Sequence, residues 1–464
     1  MESEHKWSTL GETCYITDGA HAKVERQESG VLYLTSKNFS VGSLKLDKVD
    51  YISEEDFSKL FADTKKSQRK LRDGDVLTGI IGTFGNVYRY TEDDHFGISS
   101  SVAILRPNQE ILNSDFLYYV LTSQSFKATV EAYKGGSVQG YTNIATLKVL
   151  PIPLPDISIQ TNIVAHLKAL DQKIQLNRQT NQTLEQMAQA LFKNWFVDFD
   201  PVIDNALAAG NPIPEPFTKR SEVRKALLDK TLPEEQRVLF PSEFEETEEL
   251  GWVPKGWKIT PFIKIIDKYI DNRGKTPPLV EVGIPLVEVK NMIDGEPFPN
   301  LDTKKRVTME TFNTWFRTHL EKKDILISTV GTIGRTSIVA NTNFGIAQNV
   351  LGLRFGKKVT SEYMFYTIKA HRFQYDMDAR LVTTVQSSIK RKDLNTIPIL
   401  KPPFELLEEF SSICDNNLKF QFQKKMEIGT LTKLRDTLLP KLISGELRLP
   451  ETDSVHKKTS DTAT

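Results

Sequence analysis

The most constraining feature of this chain is an internal duplication. Residues 75–86 read DVLTGIIGTFGN and residues 324–335 read DILISTVGTIGR, with five of 12 positions identical at an offset of 249 residues. This offset far exceeds the roughly 20–50 residues of a solenoid repeat, so each copy is expected to be a domain in its own right. Two similar domains in tandem form a pseudo-dimer, which suits a ligand with two half-sites.

The match continues in the same order on both sides of this run. Downstream, the tripeptide FGI at 96–98 recurs at 344–346, and upstream the dipeptide KN at 37–38 recurs at 290–291. Each copy combines short β-like runs, turn glycines and one helix candidate, at 114–130 and at 361–375. Because strands and helices do not alternate regularly, the pattern predicts an α+β fold.

Each copy is followed by a candidate long helix. From Ile163 to Trp195, apolar residues recur every three or four positions, interrupted only by Asn177 and Asn181, and residues 158–200 contain no Pro or Gly. We expect helices at 157–200 and 404–448 that pair as an antiparallel coiled coil separating the two globular copies, with the asparagines fixing its register. The alternative is a pair of ordinary core helices.

These elements predict two tandem α+β domains separated by two long antiparallel helices. The expected segments are a first domain (1–156), a first long helix (157–200), a linker with a short helix at 221–229 (201–250), a second domain (251–403), a second long helix (404–448) and a disordered tail (449–464).

Composition and charge restrict the class of protein. The 464 residues carry 60 basic and 60 acidic side chains, which argues mildly against a nucleic-acid partner. The basic residues are clustered, however, and local patches can bind phosphate on a neutral chain; the alternative is that each cluster is a solvated face. The clusters are Lys65, Lys66, Arg69, Lys70 and Arg72 in the first copy, and Lys304, Lys305, Arg306, Lys322, Lys323, Lys390, Arg391 and Lys392 in the second.

Other classes lack their sequence signals. No apolar run approaches the 18 or so residues of a membrane span, and we expect a cytoplasmic protein whose Cys14 and Cys414 are free thiols. No metal-ligand spacing is present. The glycines at 79–85 have the wrong spacing for a dinucleotide loop, and Pro277 and Pro278 block a P-loop helix after 274–276. We therefore predict no catalytic residue.

Three motifs resemble the specificity subunit of Type I restriction-modification systems. They are LFKNWFVDFDP at 191–201, the proline-rich exit LPIPLP at 150–155 and LLPKLISGEL at 438–447, together with the duplicated Gly-Thr-x-Gly loops. The resemblance covers nearly the whole chain. It implies that each copy reads one half of a bipartite double-stranded DNA site, and that the helices act as a spacer and a platform for two methylation subunits.

The resemblance also implies that this chain guides a reaction carried out by others. The methylation subunits would use S-adenosylmethionine, and restriction subunits, which act as motor and nuclease, would use ATP and Mg²⁺. The alternatives are a two-domain enzyme with an unrecognised site and a structural scaffold.

Candidate binding residues follow from their chemistry and position. Base readout needs donors and acceptors on loops that enter a groove, and the alternative for each residue is a turn-stabilising role. The DNA-contact candidates are Lys37, Asn38, Thr83, Asn86, Gln139, Lys290, Asn291, Thr332, Arg335, Gln386 and Arg391. A two-helix coil cannot bury every aromatic on its faces, so a subunit interface is expected at Phe192, Trp195, Phe196, Phe420 and Phe422.

Overall fold

In a computed structural model of the protein, the described residues are 5–64, 68–81, 85–133, 143–226, 232–272, 274–382 and 387–450. The chain divides into two compact units. The first comprises Met1–Gln175 and Gly429–Thr464, and the second comprises Leu176–Ile428. Each unit therefore holds one copy of the duplicated domain together with a segment of each long helix.

The first unit contains the first copy. Its strands are β1 (Trp7–Thr9), β2 (Cys14–Asp18), β3 (Val31–Leu34), β4 (Phe39–Ser40), β5 (Ser43–Leu44), β6 (Asp50–Ile52), β7 (Val76–Gly79), β8 (Val87–Arg89), β9 (Phe96–Ile98), β10 (Val102–Pro107) and β11 (Pro151–Pro153). Its helices are α1 (Leu10–Thr13), α2 (Glu54–Leu60), α3 (Ser114–Thr122), α4 (Gln124–Tyr133) and α5 (Ile144–Val149), and α6 (Ile157–Phe196) begins in it.

The second unit contains the connector and the second copy. Its helices are α7 (Asp200–Ala209), α8 (Thr218–Lys225), α9 (Glu234–Arg237), α10 (Phe262–Ile265), α11 (Met309–Trp315), α12 (Ser361–Lys369), α13 (His371–Asp378) and α14 (Arg391–Leu394), and α15 (Phe404–Ser444) begins in it. Its strands are β12 (Phe244–Thr247), β13 (Gly251–Pro254), β14 (Lys258–Pro261), β15 (Lys268–Ile270), β16 (Ile284–Val287), β17 (Arg306–Val307), β18 (Ile325–Ser328), β19 (Thr336–Ile338), β20 (Gly345–Ile346), β21 (Val350–Arg354) and β22 (Pro398–Lys401).

The duplication seen in the sequence is a duplication of topology. The first copy has a sheet of order β2-β10-β7-β8 and the second a sheet of order β15-β21-β18-β19. A parallel pair accompanies each sheet, β3 with β9 and β16 with β20. The proline-rich exit strand pairs antiparallel with a strand near the start of its copy, as β1–β11 and β14–β22. The predicted α+β class is confirmed, with this mixed pattern in both copies.

A buried ion pair explains why both duplicated runs begin with aspartate. Arg106 donates from Nε and Nη2 to the two carboxylate oxygens of Asp75, each at 2.7 Å. Arg354 makes the same two-pronged contact with Asp324, at 2.8 and 2.9 Å. Both aspartates are buried. A paired guanidinium satisfies a carboxylate that would otherwise be costly to bury, so the strand β10 or β21 is fixed to the start of its neighbour.

The predicted helix in each copy is two helices. The first breaks at Ser123 (φ −66°, ψ 150°), between α3 and α4, and the second at Ala370 (φ −66°, ψ 145°), between α12 and α13. Because apolar spacing continues across the break, the sequence pattern did not reveal it. An extended residue stands at the equivalent place in both copies, and buried residues of the helices on either side of it belong to the same hydrophobic cluster.

The two long helices pair antiparallel, as predicted. In the first unit, Ile163 and Leu167 of α6 share a hydrophobic cluster with Leu439 and Ile443 of α15. In the second unit, the rings of Phe192 and Phe410 lie 6.0 Å apart.

The polar interruption of the seam lies inside the helix pair. Asn177 is buried, and the amide of Asn181 donates to the backbone carbonyl of Gln421 at 3.2 Å. The helices end at Phe196 and Ser444, slightly before the predicted residues 200 and 448.

The connector is more structured than the predicted linker. Helices α7, α8 and α9 occupy much of residues 201–250, and the short helix is Thr218–Lys225 where 221–229 was expected. Arg220 donates to both carboxylate oxygens of Asp200 at 2.6 and 2.7 Å, and Arg224 pairs similarly with Asp204. Its prolines hid this order, because each Pro lies outside or at the start of a helix, where it is tolerated. The predicted tail lies outside the described residues except for 449–450.

Substitutions at two glycines should change the free energy of unfolding in opposite directions. A Cβ on Gly97 would lie 2.5 Å from the ring of Phe61, so Gly97→Ala should lower the free energy of unfolding by about 1–3 kcal/mol. Gly429, inside α15, has no atom within 4 Å of such a Cβ, so Gly429→Ala should raise it by about 0.5–1 kcal/mol. Denaturant unfolding followed by circular dichroism measures both, and a Gly97→Ala protein of unchanged stability would contradict the packing.

Candidate nucleic-acid interface

In the second copy, the glycine turn and the Lys-Asn turn form one cluster. The turn at 331–334 joins β18 to β19, and its two glycines have φ of 82° and 81°, a conformation that other residues rarely adopt. Arg335, directly after this turn, donates from Nη1 to the backbone carbonyls of Val289 at 3.4 Å and Met292 at 3.3 Å. These carbonyls flank Asn291. The structure thus brings together Lys290, Asn291, Thr332 and Arg335, which the sequence predicted separately.

The two asparagines of this set are buried and hold their turns. Asn38 is 7% exposed; its carbonyl oxygen accepts hydrogen bonds from Thr35, and its amide donates to the carbonyls of Lys45 and Lys48 at 3.1 and 2.9 Å. Asn291 is also buried and accepts from the backbone of Glu288 at 2.9 Å. A bidentate contact with adenine would require the amide of Asn38 to break these bonds. The geometry favours the turn-stabilising alternative for both asparagines.

The neighbouring lysines, by contrast, are exposed. Lys37 and Lys290 project from the turns that the asparagines hold. Lys290 lies 2.8 Å from a carboxylate oxygen of Glu288, which also pairs with Lys305 at 2.5 Å. Burial alone would raise the pKa of Glu288, but these two lysines outweigh it and lower the pKa. Glu288 therefore stays ionised and offsets part of the positive charge at this turn.

The remaining DNA-contact candidates differ in their exposure, and some lie outside the described residues. Thr332 is exposed and Asn86 is half-buried, whereas Thr83, Gln139 and Gln386 lie outside the described residues. Arg391, at the start of α14, lies 4.6 Å from the ring centre of Tyr269 and pairs with Asp271. Among the described residues, its side-chain interactions are with Tyr269 and Asp271, which belong to neither turn of the cluster.

Two polar side chains that the sequence analysis missed lie against the glycine turns. A Cβ on Gly85 would lie 2.7 Å from the side chain of Lys127, and the amide of Gln374 donates to the carbonyl of Gly334 at 3.3 Å. Lys127 is on α4 and Gln374 is on α13, the corresponding helices of the two copies. Their matched positions in the duplication are the signal that could have identified them.

Three of the five residues expected at a subunit interface are instead in the core. Trp195 is 1% exposed, and Phe192 and Phe196 are buried with it in an aromatic cluster of the second unit. The expectation was wrong for these three because it counted only two helices. A further layer covers them: Tyr363 of α12 lies 4.9 Å from Phe196, ring centre to ring centre.

The other two aromatics differ from each other. Phe420 is 43% exposed on α15, while Phe422 packs edge-on against Phe298 at 5.3 Å. Phe420 therefore remains available to a partner. Among the described residues, no helix combines the length and apolar character required to cross a membrane.

Adjacent residues in the first copy should separate folding from binding. Asn38→Ala should lower the free energy of unfolding by about 2 kcal/mol, because it leaves buried backbone carbonyls without donors. Lys37→Ala should change stability by less than about 0.5 kcal/mol, since its side chain is exposed. Thermal unfolding of the two variants checks this, and equal losses would contradict the distinction.

Comparisons with known proteins give consistent results. The sequence model of the family described as the Type I restriction modification DNA specificity domain matches residues 32–186. The chain is 26% identical to the Type I restriction enzyme HindI specificity subunit of Haemophilus influenzae, over 82% of this chain and 88% of that protein. It is 25% identical to the MjaIX specificity subunit of Methanocaldococcus jannaschii, over 73% and 70% respectively.

A solved structure supports the fold. The S subunit of a Type I restriction-modification system from M. genitalium matches with a TM-score of 0.53 at 15% identity, covering 96% of this chain and 97% of that one. The matched domain, the relatives aligned over most of their length and the duplicated topology agree. Over most of its length, the chain is similar to specificity subunits of Type I restriction-modification systems, and residues 32–186 match the family's DNA specificity domain.

Proposed function

We propose that this chain selects the DNA site of a Type I restriction-modification complex, with one copy of the duplicated domain for each half of a bipartite sequence. The observation that carries the proposal is the repetition of one topology, including the turn that exposes Lys37 in the first copy and Lys290 in the second. A duplicated fold with different side chains on corresponding turns suits two half-sites of different sequence.

The contacts in each half-site divide by chemistry. Exposed lysines such as Lys37 and Lys290 suit phosphates, which position a protein on the duplex without reading sequence. Asn86 and Arg335 occupy corresponding positions after the glycine turn and differ in hydrogen-bonding groups, so they suit base readout or the support of a loop that performs it. Thr83, Thr332, Gln139, Gln386 and Arg391 remain proposed DNA contacts.

The chemical steps belong to partner subunits in this proposal. Two methylation subunits would bind S-adenosylmethionine, and restriction subunits would use ATP and Mg²⁺, in the cytoplasm. The exposed ring of Phe420 on α15 and the partly buried Phe422 are the proposed contacts for a methylation subunit. Binding of S-adenosylmethionine or ATP by the isolated chain would favour the enzyme alternative. Failure to retain any specific duplex with methylation subunits present would favour the scaffold.

Matched substitutions should test the division between half-sites. Asn86→Ala should relax recognition of one half-site and Arg335→Ala of the other, each by about 1–3 kcal/mol for a base contact. Competition binding with duplexes altered in one half-site measures the effect. If Arg335→Ala weakens binding equally on every sequence, non-specific DNA included, Arg335 contacts phosphate or only supports its turn.

We also propose that α6 and α15 set the number of unspecified base pairs between the half-sites. An insertion after Gln182 in α6 alone would shift Phe192 away from Phe410 while Asn181 stays against Gln421, so it would break the pairing with α15. The informative change is therefore a matched one in both helices.

Four residues inserted after Gln182 and four after Phe420 should lengthen both helices by about 6 Å. This corresponds to roughly two base pairs of B-DNA at about 3.4 Å each. Sequencing of methylated DNA from cells carrying the altered chain should show both half-sites unchanged and a longer gap. An unchanged gap would mean that the helices do not set the spacing.

A further inference from the structure

A partly buried polar contact, in which the Asp171 side chain is 32% exposed, joins the first copy to the long helices. The hydroxyl of Tyr119, on α3, donates to Oδ2 of Asp171 on α6 at 2.8 Å. Arg435 of α15 donates from Nη1 to Oδ1 of the same carboxylate, also at 2.8 Å. Burial raises the pKa of Tyr119, so its hydroxyl remains a donor. One carboxylate thus links a domain helix to both long helices within the first unit.

The second unit has a contact of the same kind. Tyr366 of α12, which occupies the position of Tyr119 in the second copy, donates to Oε2 of Glu185 on α6 at 3.3 Å. Lys369, one turn further along α12, forms an ion pair with Oε1 of Glu185. The amide of Gln189 donates to that same oxygen at 2.7 Å. The side chain of Glu185 is 5% exposed, so this is a charge held almost entirely inside the protein.

The two contacts have the same arrangement of tyrosine and carboxylate, but the cation comes from a different element in each. In both, a tyrosine of the domain meets a carboxylate of α6. In the first unit the cation, Arg435, comes from the opposite long helix, and in the second unit the cation, Lys369, comes from the domain itself. The common elements are therefore the tyrosine and the carboxylate.

The surroundings of Glu185 explain what such a contact can do. Tyr366 lies 6.0 Å from the ring of Phe192 and 6.1 Å from that of Phe410, in a cluster of aromatic side chains. The hydrophobic effect is non-directional, so apolar burial alone specifies the alignment of two helices less strictly than a paired charge does. A buried carboxylate allows only the alignment that satisfies it, since any other leaves an unpaired charge. The paired Glu185 can therefore specify orientation even where its net contribution to stability is small.

We propose that Tyr119–Asp171–Arg435 and Tyr366–Glu185–Lys369 are positioning contacts that hold each copy at one angle on the long helices and so restrict the accepted gap between half-sites. None of these six residues is among the proposed DNA contacts. The inference rests on the proposed function, because the gap has meaning only if the two copies read two half-sites.

The test compares the gap lengths that different variants methylate. The triple variant Tyr366→Phe, Glu185→Leu, Lys369→Met removes all three polar groups together, so no buried charge is left unpaired. Cells carrying this chain and its methylation subunits are sequenced for methylated DNA. We compare methylation at sites whose gap is one base pair longer or shorter with methylation at sites of the normal gap. This ratio should rise roughly tenfold in the triple variant, with both half-sites unchanged. Tyr119→Phe, Asp171→Leu, Arg435→Met should act in the same direction.

Two further variants keep the test decisive. Lys255→Met removes an exposed ion pair with Glu243 that involves neither α6 nor α15, so it should leave the gap distribution unchanged. Tyr366→Phe alone keeps the aromatic ring and the ion pair between Glu185 and Lys369, so it should change the gap distribution less than the triple variant does. This single variant provides the test if the triple variant does not fold.

The possible outcomes separate the inference from the function on which it rests. A variant that methylates only the normal gap, at the same or a uniformly lower level, would overturn the inference and leave the contacts a purely structural role. A wild-type complex that methylates no defined bipartite sequence would overturn the proposed function and the inference with it.

Discussion

The pairing of α6 with α15 is the constraint on which the rest of this structure depends. Each helix alone presents an apolar stripe that water would contact, and the antiparallel partner covers it. In the first unit, Leu167 shares a hydrophobic cluster with Leu442, which lies 275 residues later in the chain. In the second, Phe192 and Phe410 play the same part. Each copy is thus completed by helix segments that lie far apart in sequence.

The polar groups inside this apolar frame have a different role from the apolar ones. Glu185 and Asp75 are buried and paired, and a hydrophobic substitute of the same size would serve packing as well. Their contribution is to fix the relative orientation of the elements they join, since several hydrogen bonds to one carboxylate are satisfied in only one arrangement. The Asp75–Arg106 pair orders strands within a copy, and Glu185 orients the second copy on α6.

Sequence reasoning recovered the features that depend on repetition and period. The offset of the copies predicted a shared topology, and the apolar spacing from Ile163 onward predicted the helix pairing, because both signals extend over many residues. The break at Ser123 was missed, since one extended residue leaves the apolar spacing intact. The prolines of the connector were read as a linker, although they stand where helices begin.

At the candidate site, the sequence could name residue types but could not tell which were buried. The sequence favours Asn38 and its neighbour Lys37 equally as DNA contacts. Only the hydrogen bonds of Asn38 to Lys45 and Lys48 show that the asparagine holds the turn. The burial of Trp195 could not be predicted for the same reason. Its burial depends on elements such as Phe240, whose ring lies 5.3 Å away but 45 residues later in the chain. Long-range contacts of this kind leave no local trace.

The division of the chain into units has a consequence for its synthesis. The second unit is one continuous stretch, Leu176–Ile428, whereas the first needs residues from both ends of the chain. A ribosome releases the whole second unit before it releases Leu439, Leu442 and Ile443, which complete the hydrophobic cluster of the first unit. Amino-terminal domains generally fold first during synthesis, but here the first domain lacks part of its hydrophobic cluster until residues 439–443 have been made. The domain translated first is completed last, and a nascent chain that stops early leaves it open.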